Sequence, residues 1–163
     1  MKLRFIFDTN VYSKVFEEKN VLSFIDFIEK NKSEFIVYGC RIIRKELRGI
    51  GKSTIIEGLK LRNSTLTLYD SIVDGHNLEV TFLAEQLAKK YYDELNGVKP
   101  FKKLENDLTI VALASLSNLD LIVSEDNKTL ASKNFVKVYS KVNEENSISV
   151  PEIISLKKFY QLF

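Results

Sequence analysis

Two acidic residues lie where helix periodicity favours apolar side chains. Glu46 falls within the apolar arc of one predicted helix, and Asp107 falls within that of another. The arc around Glu46 consists of Ile42, Ile43, Leu47 and Ile50, and the arc around Asp107 consists of Ile110, Val111 and Ala114. An ionised carboxylate on such a face is unfavourable unless it is paired with a cation or bound to a metal ion. A salt bridge to a buried Lys or Arg would satisfy either residue alone, but two such carboxylates favour a shared site.

Two further carboxylates follow predicted strands. Asp8 comes directly after the apolar run Leu3–Phe7, and Asp126 comes two residues after the run at 119–124. Open α/β sheets bind ligands outside the carboxyl ends of their strands, so both residues are candidates for the same site. Either Asp taken alone is also explained as a helix N-cap, which is the commoner role of Asp at a strand–helix junction. The sequence leaves both interpretations open.

Four carboxylates in one cleft would repel one another and raise one another's pKa values. A divalent cation relieves that repulsion, and Mg²⁺ prefers oxygen ligands of this kind. Such an ion can polarise a phosphoryl oxygen, help to generate hydroxide and stabilise a leaving oxygen. The chain contains one histidine, His76, and one cysteine, Cys40, so histidine-rich metal sites, paired-histidine nucleases and zinc clusters are excluded. The residue types therefore indicate metal-dependent phosphodiester hydrolysis, and His76 is expected in a surface loop.

Alternating strand and helix signals describe the scaffold that must position these residues. Strands are predicted at 3–7, 35–38, 65–72, 119–124 and 135–142. Helices are predicted at 11–16, 21–30, 41–50, 53–61, 78–95, 105–118 and 151–162, with Pro151 in the first turn of the last one. This order predicts an α/β fold, namely a three-layer α/β/α sandwich around a mostly parallel central sheet. No repeat or linker divides the sequence, so residues 1–163 are expected to form a single domain.

The overall composition is that of a globular protein. Apolar residues make up 45% of the 163 residues and charged residues 28%, and the formal net charge is +2. No apolar run approaches the ~20 residues of a membrane-spanning helix, and the sequence starts without the apolar segment of a signal peptide. Because Cys40 is the only cysteine, no internal disulfide can form. We therefore expect a cytoplasmic protein with no membrane partner.

Lys and Arg residues form local clusters that could bind nucleic acid, although the net charge of the chain is low. The segment 41–62 contains seven Lys or Arg residues against two acids. Such clusters bind phosphates, and the binding then weakens with salt. The candidate nucleic-acid-binding residues are Arg41, Arg44, Lys45, Arg48, Lys102 and Lys103. A solvated helix face explains the cations of 41–48 equally well. Phe101, Tyr91 and Tyr92 could stack on unpaired bases, although core or dimer packing is the simpler role for the two tyrosines.

Four motifs, in this order, resemble those of the PIN-domain nucleases. They are FDTNV at 7–11, RKEL at 44–47, NDLTIVALA at 106–114 and LIVSED at 121–126. Each motif alone is weak, but together they lie on the expected elements and cover essentially the whole chain. The resemblance assigns the metal-site acids as Asp8, Glu46, Asp107 and Asp126, supported by the polar residues Asn10 and Ser124.

The resemblance also implies cofactors and partners. PIN-domain nucleases use Mg²⁺ or Mn²⁺, cleave single-stranded RNA and are frequently homodimers. Many short members are VapC-type toxins, each neutralised by a small antitoxin that blocks the active site. The expected function is therefore that of a metal-dependent endoribonuclease, either as the toxin of a toxin–antitoxin pair or as an RNA-processing nuclease without an antitoxin.

Other interpretations of the same residues fit less well. A non-catalytic RNA-binding PIN domain would be expected to have lost at least one acid, whereas all four are present. An aspartyl phosphotransferase of the haloacid dehalogenase type needs a second Asp two residues after the first, where this chain has Asn10. Glu105 and Glu125 could replace or join the four acids. Both rank below them, because Glu105 lies off the Asp107 face and Glu125 lies between two matched positions.

Overall fold

The computed structural model describes residues 2–163, which form a parallel sheet with helices on both sides. The first half of the chain runs β1 (Leu3–Phe7), α1 (Thr9–Glu17), α2 (Val21–Asn31), β2 (Phe35–Cys40), α3 (Arg41–Gly49), β3 (Ile55–Ile56), β4 (Leu59–Lys60) and α4 (Leu61–Val73). The second half runs β5 (Asn77–Leu78), α5 (Phe82–Glu94), α6 (Phe101–Leu116), β6 (Leu121–Val123), α7 (Lys133–Glu145), β7 (Glu152–Ile154) and α8 (Leu156–Tyr160). No helix within residues 2–163 is both long and apolar enough to cross a membrane.

The main sheet contains five strands in the order β5-β2-β1-β6-β7, and all of its pairings are parallel. In the central register, Phe5 of β1 lies opposite Val37 of β2 on one side and Leu121 of β6 on the other. Because neighbouring strands are parallel, the carboxyl ends of β1, β2 and β6 lie at the same edge of the sheet. The mostly parallel central sheet predicted from the order of elements is confirmed.

Aromatic rings on β1 attach one helical layer to the sheet. Phe5 and Phe7 point to the same face, since strand residues two apart do so. Phe7 contacts Phe24 of α2 at a ring distance of 5.5 Å, and Phe5 contacts Phe159 of α8 at 4.7 Å. In the same layer α4 packs against α1 and α3. On the other face, towards which Ile6 points, α5 packs against α6 and α7, and α6 contacts β6. The sheet is therefore covered on both faces.

Two segments predicted to be extended are helices. Residues 65–72 lie within α4, and residues 135–142 lie within α7. The β-branched residues of both segments favour strands by propensity, and the prediction was wrong because it followed them. The buried positions repeat at a helical period in both segments, and burial of one helix face outweighs propensity. They are Leu61, Thr65, Leu68, Tyr69 and Val73 in α4 and Phe135, Tyr139, Val142 and Asn143 in α7.

Two predicted helices contain strands instead. Residues 53–61 form the hairpin β3–β4, whose turn places Glu57 and Gly58 at φ values of 50° and 79°. Positive φ at both central residues is typical of a two-residue hairpin turn, and Gly58 adopts it without strain. Residues 151–162 supply the edge strand β7 and the short helix α8, whose N-cap is Ser155. Parallel pairing of β7 with β6 outweighs the helix signal of the proline.

Two further helices begin at other positions than predicted. α5 begins at Phe82 instead of 78, because Asn77–Leu78 pairs with β2 as strand β5 and Thr81 then caps the helix. α6 begins at Phe101 instead of 105, one turn earlier, so that Asp107 lies further inside the helix than expected. His76 is exposed in the loop before β5, as predicted.

Candidate active site

The four predicted acids lie around the carboxyl edge of the sheet. Asp8 follows β1 and Asp126 lies in the loop after β6, while Glu46 and Asp107 lie in the second turns of α3 and α6. Burial raises the pKa of Asp107, and the charges of Asp8, Asp126 and Glu46 raise it further, to about 7. Shared hydrogen-bond partners also link three of them, because Ser124 joins Asp8 to the loop of Asp126 and the Thr129 hydroxyl lies between Asp126 and Asp107. We refer to the four carboxylates as the acidic cluster.

Asp8 is only 5% exposed and uses its two carboxylate oxygens differently. Oδ1 accepts a hydrogen bond from the backbone N–H of Thr9 at 2.7 Å, so Asp8 is the N-cap of α1. Oδ2 accepts hydrogen bonds from the Ser124 hydroxyl at 2.7 Å and from the Asn10 amide at 2.6 Å. Burial raises the pKa of Asp8, and the hydrogen bond from Ser124 partly offsets this effect. The capping role and a place in the acidic cluster are therefore compatible.

Ser124 and Asn10 connect the loops that follow β1 and β6. The Ser124 hydroxyl oxygen accepts a hydrogen bond from the backbone N–H of Asp126 at 3.1 Å. The Asn10 side-chain oxygen accepts one from the backbone N–H of Glu125 at 3.0 Å. Both residues also donate to Asp8, so they hold the two loops at a defined separation. The structure thus places Asn10 and Ser124 beside the acids, where the motif resemblance assigns supporting polar residues.

Glu46 is half-buried and is held by two side chains from other helices. It accepts hydrogen bonds from the Thr9 hydroxyl at 2.5 Å and from the Asn106 amide at 2.6 Å. No ion pair within residues 2–163 involves Glu46 or Asp107. The buried salt bridge that would have explained either carboxylate is therefore absent from this part of the chain.

Asp126 and Asp107 meet at the hydroxyl of Thr129. This hydroxyl donates to Asp126 and lies 3.4 Å from Asp107, a distance too long for a strong hydrogen bond. Burial raises the pKa of Asp126, but hydrogen bonds from Thr129 and from the backbone N–H of Lys128 outweigh it, so the pKa lies below its usual value. Asp126 therefore accepts several hydrogen bonds from the protein, whereas Asp107 has only the long contact to Thr129.

Two buried tyrosines lie on the inner side of the acidic cluster. The hydroxyls of Tyr12 and Tyr139 are buried and have no hydrogen-bond partner within residues 2–163. Burial raises the pKa of Tyr139, and the charge of Asp107 adds to this effect. Burial likewise raises the pKa of Tyr12, and Asp8 contributes. The cluster therefore has an aromatic, poorly solvated wall on its inner side.

A cavity of about 650 Å³ opens beside the acidic cluster. Its lining residues are Arg41, Ile42, Arg44, Lys45 and Arg48 of α3, Glu105, Asn106 and Thr109 of α6, and Val80 and Glu85. We call this cavity the basic groove. Asn106 connects it with the acidic cluster, because the Asn106 side chain both lines the groove and donates to Glu46.

The cations of the basic groove differ in their partners. Arg44 donates two hydrogen bonds to the Asp70 carboxylate, from Nε and from Nη2, each at 2.9 Å. The Arg41 guanidinium lies 3.9 Å from the Glu85 carboxylate. Lys45 and Arg48 form no ion pair within residues 2–163. The structure thus brings four of the six predicted nucleic-acid-binding residues into one groove, whereas the exposed Lys102 and Lys103 lie outside its lining.

Two solved structures match the fold over nearly the whole chain. A chain in the crystal structure of VapBC2 from Rickettsia felis, bound to a DNA fragment from its promoter, matches with a TM-score of 0.60 at 16% identity. A chain in DNA-bound VapBC from Salmonella typhimurium matches with a TM-score of 0.55 at 18% identity. Each match covers 94% of this chain and 98% of the other. This protein has a PIN-like fold. No protein-family model and no curated protein matches its sequence.

The PIN-like fold also brings further polar residues to the acids, beyond those predicted from the sequence. Thr9 and Asn106 hold Glu46, and Thr129 holds Asp126. Thr9 lies inside the first motif and Asn106 directly precedes Asp107, so their adjacency to predicted acids was a usable signal. Thr129 follows Asp126 in a turn, and nothing in its local sequence marks it.

Glu125, considered as a substitute acid, has another role. Its carboxylate accepts hydrogen bonds from the Lys14 ammonium at 2.6 Å and from the backbone N–H of Leu156 at 2.7 Å. Both oxygens are thereby used to tie the loop after β6 to α1 and α8. Glu105, the other substitute, is exposed and lines the basic groove. The main charges that raise the pKa of Asp107 are those of Asp8, Asp126 and Glu46.

The donor chemistry of the acidic cluster fits a hard divalent cation. All four side chains offer carboxylate oxygens, and their mutual repulsion is the effect that such an ion relieves. Within residues 2–163 no three Asp, Glu, His or Cys side chains are already arranged as a metal-binding group. Glu46 and Asp126 instead accept hydrogen bonds from Thr9, Asn106 and Thr129.

Proposed function

We propose that this protein is a metal-dependent endoribonuclease that hydrolyses phosphodiester bonds of single-stranded RNA at the acidic cluster. One observation carries the proposal. Four carboxylates converge, and no Lys or Arg within residues 2–163 forms an ion pair with any of them. Negative charge concentrated at a partly buried site needs a counter-charge, which a divalent cation supplies. The adjacent basic groove supports a polyanionic substrate.

The four acids would hold Mg²⁺ or Mn²⁺ through their carboxylate oxygens, as both ions accept such ligands. When bound, the ion would polarise the scissile phosphoryl group and lower the pKa of the attacking water. Asp107 has a pKa of about 7 and only a long contact to Thr129, so near neutral pH it would be available as a carboxylate ligand. Asp8 stays in place, because its hydrogen bonds to Ser124 and Asn10 fix its orientation.

Removal of divalent metal is expected to abolish cleavage reversibly. Purified protein would be incubated with an unstructured fluorescent RNA in Mg²⁺ or Mn²⁺, then with excess EDTA, and then with the metal restored. Fragments should appear with metal, cease with EDTA and reappear on restoration, because the proposed chemistry depends on the ion. Cleavage that continues in EDTA would contradict the proposed mechanism.

The basic groove would bind the phosphates that flank the scissile bond. Lys45 and Arg48 are its cations without an ion-pair partner in the described chain, and Arg41 has only a distant one. Arg44 instead anchors α3 to α4 through Asp70, whose pKa is lowered by that hydrogen bond. Free cations gain more from a phosphate than cations that must first leave a carboxylate.

Neutralising the free cations is expected to weaken RNA binding and its dependence on salt. Lys45→Gln and Arg48→Gln should each reduce the slope of log K against log [salt] by ~1 for each phosphate that the variant no longer neutralises. Fluorescence anisotropy in EDTA measures this without cleavage. Lys30→Gln, an exposed lysine on α2 outside the groove, is the matched control. Equal effects of all three changes would show that binding is not localised to the groove.

The similarity to VapBC structures supports a more specific role. We propose that this protein is the toxin of a toxin–antitoxin pair, that a small antitoxin covers the acidic cluster, and that the toxin forms a homodimer. An RNA-processing nuclease without an antitoxin is the second candidate, supported by the same cluster and groove. A non-catalytic RNA-binding PIN domain is disfavoured, because such a domain would have no use for four converging acids that lack ion-pair partners.

A further inference from the structure

The ring of Phe82 is a large apolar group left in solvent near the basic groove. Phe82 is the first residue of α5 and is 70% exposed. The other aromatic residues that could stack on a base, Tyr91, Tyr92 and Phe101, already pack against neighbouring rings. Tyr91 is buried against Tyr139, and Tyr92 contacts Phe101 edge-on at a ring distance of 5.0 Å. Among the ring contacts within residues 2–163, none involves Phe82.

Helix geometry places Phe82 on the groove side of α5. Val80 and Glu85 both line the basic groove, and Phe82 lies between them in the chain. At ~100° per residue, Phe82 lies about 60° from Glu85 around the helix, one turn nearer its beginning. Leu83, which is 66% exposed, lies about 160° from Glu85 and so faces away from the groove. The Phe82 ring therefore projects from the groove side of α5, next to the lining residue Glu85, without itself lining the groove.

The groove next to this ring has the charge that a nucleic-acid backbone requires. Arg41 lies 3.9 Å from Glu85 of α5 in a loose, exposed pair, in which a phosphate could replace the carboxylate. Lys45 and Arg48 continue the positive charge along α3. An exposed aromatic ring beside a track of cations is the arrangement by which proteins bind single strands, with phosphates on the cations and a base on the ring.

We propose that Phe82 is the base-stacking residue of the nuclease site, on which an unpaired base rests while the adjacent phosphates bind the basic groove. The proposal rests on the proposed function and names the determinant by which the site prefers single strands. In a duplex the faces of the bases are covered by their neighbours, so Phe82 would gain nothing from them. Stacking tolerates every base, because each has an aromatic face.

The test compares two oligonucleotides that share a backbone. One is a fluorescent single-stranded RNA, and the other has the same length with its central nucleotides made abasic. Binding is measured by anisotropy in EDTA, which removes the metal that the proposed cleavage needs. Phe82→Ala is expected to weaken binding of the base-containing RNA roughly 10-fold and to leave binding of the abasic one nearly unchanged. Phe82→Trp should retain tight binding, and Leu83→Ala is the matched control, because Leu83 is similarly exposed but faces away.

Several outcomes overturn the proposal. If the Phe82→Ala variant binds both oligonucleotides as tightly as wild type does, Phe82 has no stacking role. If the variant binds both oligonucleotides more weakly by the same factor, the effect does not come from contact with a base. A change in oligomeric mass by light scattering, without a change in RNA affinity, would make Phe82 a contact between copies of this chain instead. If wild type cleaves RNA and Phe82→Ala has no effect, the proposed function survives and this inference fails. If wild type binds neither oligonucleotide, both fail.

Discussion

The Asp107→Asn variant is expected to be more stable than the wild-type protein at pH 8 in EDTA. The pKa of Asp107 is about 7 in the folded protein, against ~3.9 for an unperturbed Asp in the unfolded chain. The folded state therefore binds the proton more tightly, so protonation stabilises it fully at low pH. That stabilisation is lost as the pH rises from ~4 to ~7, and above pH 7 the buried charge destabilises the fold. The amide introduced by the substitution carries no charge at any pH.

The expected gain is about 2–4 kcal/mol at pH 8, since a difference of ~3 pKa units corresponds to ~4 kcal/mol and solvent near the half-buried carboxyl reduces it. In urea this shifts the unfolding midpoint upwards by ~1 M or more. The gain should be smaller at pH 5, where nearly all of the wild-type Asp107 is protonated in the folded state. Equilibrium unfolding at the two pH values measures the difference.

Asp26→Asn is the matched control for this experiment, because Asp26 is exposed on α2. It should alter stability little at either pH. Adding Mg²⁺ or Mn²⁺ at pH 8 should raise the stability of wild type, by binding only the folded state, and should raise that of Asp107→Asn less. An Asp107→Asn variant that is less stable than wild type at pH 8 would contradict the placement of Asp107 in a cluster of unpaired acids.

Loss of the carboxylate of either Asp8 or Asp107 is expected to reduce the rate of RNA cleavage at least ~100-fold. Asp8→Asn and Asp107→Asn each remove one carboxylate that would hold the metal, and the ion contributes several kcal/mol to stabilising the transition state. Each ~1.4 kcal/mol corresponds to a factor of ten in rate. Because Asp107→Asn should be more stable than wild type, its loss of activity would not arise from unfolding. Initial rates on the fluorescent RNA with Mn²⁺ measure the effect.

The same Asp26→Asn control should cleave at the wild-type rate. Cleavage that persists in both Asp8→Asn and Asp107→Asn would assign the activity to another site or to a contaminant. Expression in a bacterial host then separates the two candidate roles. Growth arrest by wild type that is absent with Asp8→Asn supports a toxin, whereas normal growth with active enzyme in vitro supports an RNA-processing nuclease.

Much of the scaffold could be read from the order of residues, and the errors have one cause. The parallel sheet and the helices α1, α2 and α3 follow from apolar periodicity and strand-end capping, and the structure confirms them. The β-branched residues of segments 65–72 and 135–142 favour strands, although each segment also carries a helical pattern of buried positions. Where two local patterns compete, only the surface available for packing decides between them.

The acidic cluster, too, could be predicted from the sequence only in part. Glu46 and Asp107 stand out in the sequence because a charge on an apolar helix face needs a partner. Asp8 and Asp126 were open to a capping role, and the structure shows that Asp8 does cap α1 while it also faces the other acids. Its capping bond uses one oxygen, and the second oxygen remains for Ser124 and Asn10.

The α/β class and the choice of candidate acids followed from the amino-acid order, because both depend on periodicity and on the position of charges along single elements. Which side chains hold those acids depends on the packing of separate elements against one another. Asn106 reaches Glu46 from α6 and Thr9 from α1, and Lys14 binds Glu125 from α1. These contacts join residues far apart in the chain, so no local pattern records them. They form because parallel strands bring the ends of separate elements to one edge of the sheet.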